Sequence, residues 1–273
     1  MNGSRFLVSG ALLLVVLAGC SAPMTGRQAG DSTPGPTGER TTSLDEADFP
    51  PGFSRNGVSM AGAREHTLEL FRNGTIAVGA RERFRPGAFV DYAFAANVTH
   101  LRFRRHVHNG VIDVTRRDVY IDPDAGYVRA SRNGRVSVRA SNATIPGARY
   151  RSASGLWAVL SRILVVGEFR ATGIESGSHR RRIHYDLTGT IVTDAGDQRG
   201  CLVVDGDGVI RQAFLAYTVG GERKRFEYAV RNRSGVAVDR PTWLSGESDD
   251  STPPDRWTIP GETAGTCADG RAG

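Results

Sequence analysis

The stretch Gly126-Tyr-Val-Arg-Ala-Ser-Arg-Asn-Gly-Arg-Val-Ser-Val-Arg-Ala-Ser141 decides the fold class. Before its centre, Val128 and Ala130 alternate with Arg129 and Ser131; after it, Val136, Val138 and Ala140 alternate with Arg135, Ser137 and Arg139. A period of two marks strands of a sheet with one wet face. Between them Arg132-Asn133-Gly134 is a hairpin turn, because Asn-Gly accommodates positive φ at both central positions. Arg-Asn-Gly recurs at 55–57 and 72–74, as turn chemistry and not as an internal repeat.

Outward from this hairpin the same periodicity predicts strands over 75–84, 89–105 and 109–121 before it. After it come 168–174, 180–193, 200–205, 208–219, 223–231 and 235–239. Two segments change period. Ser59 is a fitting N-cap for a helix over 59–72 with Ala63, Thr67, Leu70 and Phe71 on one face, stopped by the left-handed signal Asn73-Gly74. A second helix is predicted over 154–166, where Leu156, Val159, Leu160 and Ile163 form an i, i+3, i+4, i+7 stripe beside Trp157. The order helix, meander, helix, meander gives an α+β fold: a large antiparallel sheet with two helices packed on one face.

At the amino terminus Arg5 precedes an apolar run from Phe6 to Ala18, which ends in Leu17-Ala18-Gly19-Cys20. The run is too short to span roughly 30 Å of hydrocarbon as a helix and has the length of a secretory signal core. Its end resembles the lipobox of lipoprotein signals, so residues 1–19 are expected to be a cleaved leader and Cys20 the lipidated residue. No later segment approaches 18 unbroken apolar residues, so the expected membrane attachment is the lipid on Cys20, at the extracellular face of the cell membrane. Residues 20–47 hold little to bury and read as a flexible tether. The domain occupies 48–245, and 246–273 reads as an acidic, largely disordered tail in which Trp257 and Ile259 are the residues able to dock.

Net charge is +6, but residues 21–50 carry −3 and residues 246–273 carry −4. Removing these and the +1 of the leader leaves +12 on the domain. Such a body between acidic ends suits anionic headgroups or anionic envelope polymers; export argues against nucleic acid. Of the 35 basic residues only Lys224 is lysine, a composition expected of a GC-rich genome. Scattered arginines on solvated strand faces are the competing reading of the same charge.

Beyond the leader the chain holds seven asparagines, and four open Asn-X-Ser/Thr sequons: Asn73, Asn97, Asn142 and Asn232. They are candidate N-glycosylation sites of an exported surface protein. Apart from Cys20 the cysteines are Cys201 and Cys267, a candidate disulfide outside the cell and otherwise two free thiols. The bridge would close 66 residues of chain, nominally worth roughly 4 kcal/mol.

Signals of chemistry are sparse. His106 and His108 share a strand face and His100 can project the same way, but no acid or cysteine stands at ligand spacing and Arg102, Arg104 and Arg105 repel a cation, so no metal is expected. His66, His179 and His184 stand apart. Gly173-Ile-Glu-Ser-Gly177 places its serine fourth where a nucleophile elbow needs it third. Asp205-Gly-Asp-Gly208 lacks the further oxygens of a calcium loop. Asp122-Pro-Asp-Ala-Gly126 is a turn, and nothing marks Glu168 and Asp186 as a general acid and base. Neither enzyme chemistry nor a cofactor is expected.

Several stretches carry a resemblance. Phe49-Pro-Pro-Gly-Phe-Ser-Arg-Asn-Gly-Val58, Tyr150-Arg-Ser-Ala-Ser-Gly-Leu-Trp157, Gly167-Glu-Phe169, Tyr185-Asp-Leu-Thr-Gly189 and Gly208-Val-Ile-Arg211 resemble a family of uncharacterised haloarchaeal lipoproteins, over about residues 48–245. The layout is more distantly similar to lipoprotein carriers of the LolA and LppX type. That likeness implies an open half-barrel whose curved sheet and helices enclose a cavity for acyl chains. The basic body and the absence of paired arginines in the leader depart from the haloarchaeal pattern. The expected function is therefore a non-catalytic binding or carrier module for a lipid or other apolar ligand. The alternative is a glycosylated structural or adhesive envelope module that binds anionic surface polymers.

Overall fold

In a computed structural model of the chain, residues 43–44, 47–111, 113–176 and 181–245 are described. All of them belong to the second of two compact units, Glu39–Gly273. Cys20, the leader, His179, and the tail with Trp257, Ile259 and Cys267 lie outside the described residues.

A short hairpin, β1 (Phe53–Ser54) and β2 (Gly57–Val58), leads into α1 (Met60–Asn73). Six strands follow as a meander: β3 (Ile76–Arg85), β4 (Ala88–Ala96), β5 (Leu101–Asn109), β6 (Asp113–Ile121), β7 (Gly126–Arg132) and β8 (Arg135–Ser141). Helix α2 (Ile145–Val166) returns the chain across the sheet. A second meander then runs through β9 (Gly167–Ser176), β10 (Arg181–Thr190), β11 (Gly196–Asp205), β12 (Ile210–Val219) and β13 (Glu222–Asn232).

The first strand of one meander pairs antiparallel with the last strand of the other, β3 with β13. This joins both into one curved, unclosed sheet of eleven strands in the order β8-β7-β6-β5-β4-β3-β13-β12-β11-β10-β9. The α+β expectation holds, with both helices on the concave face.

The core explains the helix faces. Ala63, Thr67, Leu70 and Phe71 are the buried residues of α1, as its spacing predicts, and Phe71 packs on Phe94 of β4 at 5.2 Å between ring centroids. On α2, Leu156, Val159, Leu160 and Ile163 are fully buried, as are Ile183, Tyr185, Leu202 and Leu215 of the second meander. The two apolar surfaces fill one another there.

The structure moves several boundaries, each for a local reason. The predicted strand over 89–105 is two strands, because the Asn97 side chain builds a turn: its Oδ1 accepts from the backbone N–H groups of Thr99 (3.0 Å) and His100 (2.8 Å). Helix α2 starts nine residues before Ser154. Thr144 caps it by accepting from the Gly147 N–H, and Pro146 fits the first turn, where no N–H is needed. Gly74 does end α1, but with φ −82° and not left-handed. A Cβ there would lie 2.6 Å from the Leu70 carbonyl, so the position demands glycine for space. The predicted strand over 235–239 is irregular chain leading to a 3-10 turn at Thr242–Leu244.

The opening hairpin folds as read, with φ of 48° at Asn133 and 77° at Gly134. Its two apolar sets nevertheless face opposite ways. Arg139 stands opposite Val128 and Val138 opposite Arg129, so Val128 faces the helices while Val136 and Val138 face outward from an edge strand. Both valines are more than half exposed.

Candidate ligand-binding face

Helix α2 runs diagonally over the concave face, packing on β13, β3, β12, β4, β5 and β9. Strands β6 to β8 continue the curve as a wing. The helix is held at two ends by buried charge. Near its start, Arg149 is 7% exposed, and its guanidinium donates to the carbonyls of Phe71 (2.9 Å), Gly74 (2.8 Å) and Asn97 (2.7 Å). Burial lowers its pKa. Two of those carbonyls finish α1, where a cation also suits the helix dipole. Further along, Arg162 donates to Glu82, which points inward from β3 and is 3% exposed. Burial raises the Glu82 pKa, and the Arg162 charge and hydrogen bond oppose that rise.

Beside α2 the concave face of β4 to β8 is built from three cross-strand rows. One runs Phe94, Phe103, Val119, Val128, Arg139; the next Tyr92, Arg105, Arg117, Ala130, Ser137; the third Val90, Val107, Thr115, Arg132, Arg135. The floor is apolar and aromatic: Tyr92 and Phe103 lie 6.4 Å apart, both partly buried against the core. Gly155 of α2 lies close to Tyr92, where a Cβ would come within 3.2 Å of the ring.

The rest of this face is cationic. Arg105, Arg117, Arg132, Arg135 and Arg139 are all exposed, and among the described side chains no acid shares the concave face of β5 to β8. Arg105 stands directly opposite Arg117, and Arg132 opposite Arg135. Like charges in such pairs repel. Arg105 also lies over the Tyr92 ring, 5.9 Å from its centroid. The arrangement presents forked donors around an apolar floor, the geometry for a ligand with an anionic head and an apolar body.

The residues singled out from sequence are dispersed. Cys201 is disulfide-bonded and faces the convex side from β11, in the row Cys201, Phe214, Glu227, Arg81, Asp91. Asn73, Asn142 and Asn232 are exposed. Asn97 is half-buried and occupied, since its Nδ2 donates to the Val236 carbonyl (3.3 Å) while its Oδ1 holds the turn. Asn73 and Asn142 line one open depression of about 860 Å³ at the start of α2.

His106 and His108 flank Phe89 on the convex face, each 5.2 Å from it. His100 sits in the Asn97 turn beside Thr99, and no three His, Cys, Asp or Glu side chains group as a metal site among the described residues. At Asp205-Gly-Asp-Gly208 the guanidinium of Arg233 donates to both carboxylates, Asp205 at 3.0 Å and Asp207 at 2.6 Å. A cation side chain thus stands where a calcium ion would.

Sequence reading missed Arg105, Arg117, Tyr92 and Phe103 as a group. The available signal is that Arg105 breaks the inward series Leu101, Phe103, Val107, and Arg117 breaks Thr115, Val119, Ile121. Only the register shows that the two breaks are neighbours.

No family model matches the chain, and no curated protein matches it. Among solved structures it is similar to a DUF1329 family protein from Desulfovibrio piger at 7% identity, covering 66% of this chain and 95% of that one with a TM-score of 0.22. A likeness of that size carries no argument about function.

Proposed function

We propose that the chain is an exported, membrane-tethered, non-catalytic binding module that holds an acidic lipid on the concave face of β4 to β8. The observation that supports it most is the Arg105–Arg117 pair, two exposed like charges in register beside the aromatic floor of Tyr92 and Phe103. An anionic headgroup between them converts repulsion into charge-assisted hydrogen bonds, while the floor accepts the first part of an acyl chain. The space between α2 and the second meander is filled by side chains, so the ligand lies beside the helix and not beneath it. Lipidation at Cys20 would keep the face at the bilayer surface, where one acyl chain holds marginally and two hold stably.

The test uses the secreted chain with Cys20→Ser and vesicles that either contain or lack an acidic phospholipid. Binding is expected to need the acidic lipid, to weaken with salt, and to fall at least tenfold in Arg105→Ser/Arg117→Ser. Equal binding by that variant, or only ligand-free protein in native mass spectra after extraction from its own membranes, would overturn the reading. The same arginines would also engage an anionic envelope polymer. Retention on isolated, delipidated envelopes without vesicle binding would favour that second reading.

A further inference from the structure

We propose that β8 is a docking edge for a second copy of this chain, pairing antiparallel with its own counterpart about a twofold axis at Val138. The sheet has two edges, and they are finished differently. At β9 the Ala171 N–H donates to the Arg55 carbonyl at 2.9 Å, and β2 packs alongside. At β8 no described strand pairs with the outer side. Nor does β8 carry the usual devices that blunt an edge: it has no proline, and its register with β7 runs without a bulge.

The tight turn fixes which backbone groups this edge offers. With Asn133 and Gly134 as the two central residues, Arg132 and Arg135 form a hydrogen-bonded pair. Alternation then places Val136, Val138 and Ala140 at the non-hydrogen-bonded positions opposite β7. Their N–H and C=O groups therefore point out of the sheet edge. Pairing Val138 with Val138 of the second copy, and Val136 with its Ala140, satisfies these groups with about six backbone hydrogen bonds. Val136, Val138 and Ala140, all exposed in one copy, then form a single apolar stripe on the joined convex face.

Charge selects this register. On the concave side Arg135 meets Ser141 of the second copy and Arg139 meets its Ser137, so no arginine opposes another. Sliding by two residues sets Arg135 against Arg139 in one direction and Arg139 against Arg139 in the other, and like charges directly opposite repel. A slide of one joins the convex side of one copy to the concave side of the other. The strand is complementary to itself in one full-length register, so the partner it fits is a second copy. The pair also carries both concave wings into one surface, although the pairing itself does not rest on a bound lipid.

Sedimentation equilibrium of the full secreted chain with Cys20→Ser, without lipid, should show a reversible monomer–dimer equilibrium. A chain that stays monomeric up to about 1 mM, where even weak association is populated, overturns the proposal. Ser137→Arg should raise the dimer Kd about tenfold and Ser137→Glu should lower it about as much, because each dimer gains two such pairs with Arg139. The melting temperature of the dilute monomer should not move in either variant. The same Kd in both variants would refute pairing through β8. Val138→Cys reads the register: in a hydrogen-bonded pair the two Cα atoms lie about 5.5 Å apart, within disulfide reach. Mild oxidation should link two copies through position 138 and leave Arg135→Cys unlinked; linkage in the second variant and not the first would sink the proposed register.

Discussion

Replacing Arg149 by methionine keeps the length of the side chain and removes every donor from the junction of α1, α2 and the Asn97 turn. Three carbonyls lose charged hydrogen bonds of 2.7–2.9 Å, each worth about 1.5–3 kcal/mol when made to a charged group. That sum overstates the loss, because the folded state no longer carries the cost of burying a guanidinium, itself several kcal/mol. What remains should be about 3–5 kcal/mol, the range found when one partner of a buried charged contact is deleted. For a domain of this size each kcal/mol moves the melting temperature by about 2–4 °C. The variant should therefore melt about 6–20 °C lower, with urea denaturation giving the free energy directly. Arg149→Lys should fall between, since one ammonium cannot serve three carbonyls in a fork. Arginine stays protonated throughout, so the loss should be the same at pH 6 and pH 9. A methionine variant within about 1 kcal/mol of the parent chain would refute the view that this guanidinium ties the two helices together.

Glu82 should make stability fall as pH rises. Its folded pKa lies above the ordinary value, so the native state holds the proton longer and stability is lost from about pH 4.5 upward through the folded pKa. Urea midpoints against pH should show the decline, Glu82→Gln should remove it, and Arg162→Met should carry it to higher pH. Glycopeptide mapping from a glycosylating host should find Asn97 unmodified while Asn73, Asn142 and Asn232 serve as acceptors. Asn97→Ala should cost about 1–2 kcal/mol by undoing the turn. Val138→Lys should leave stability within about 0.5 kcal/mol, whereas Val128→Ala, ten residues earlier but facing the helices, should cost about 1–3 kcal/mol.

The existence of nearly every strand and both helices was legible, because each apolar set repeats at its own period over a long enough run. The buried face of α1 could be named residue by residue for that reason. The first nine residues of α2 were not legible. Gly147 argues locally against a helix, and what holds this segment helical is tertiary: the cap at Thr144 and the carbonyls across the junction that Arg149 meets. The break at Asn97 was hidden in an alternating run because a side chain, and not a glycine or proline, makes the turn. For β8 the alternation was correct but its direction was not. Only the register with β7 tells which set of an edge strand faces the helices, and α2, which packs on this side as far as β5, does not reach far enough to enforce the usual choice.

The same limit hid the candidate site, and it also supplies the strongest case against a purely compositional account of the arginines. A bias toward arginine codons explains why one lysine stands among 35 basic residues, but such a bias does not distinguish the two faces of a sheet. The faces differ. On the convex side arginines are interleaved with acids: Arg81 donates twice to Asp91, Arg102 twice to Asp118, and Arg225 pairs with Glu227. On the concave wing five exposed arginines stand without a described acid, and two of them replace apolar residues in otherwise inward-facing series. Residues that break the local rule on adjacent strands, in register and at a cost to folding, are what a binding face requires. If composition alone placed them, Arg105→Ser/Arg117→Ser should only stabilise the fold. If the face binds an acidic headgroup, the same variant should gain stability and lose ligand together.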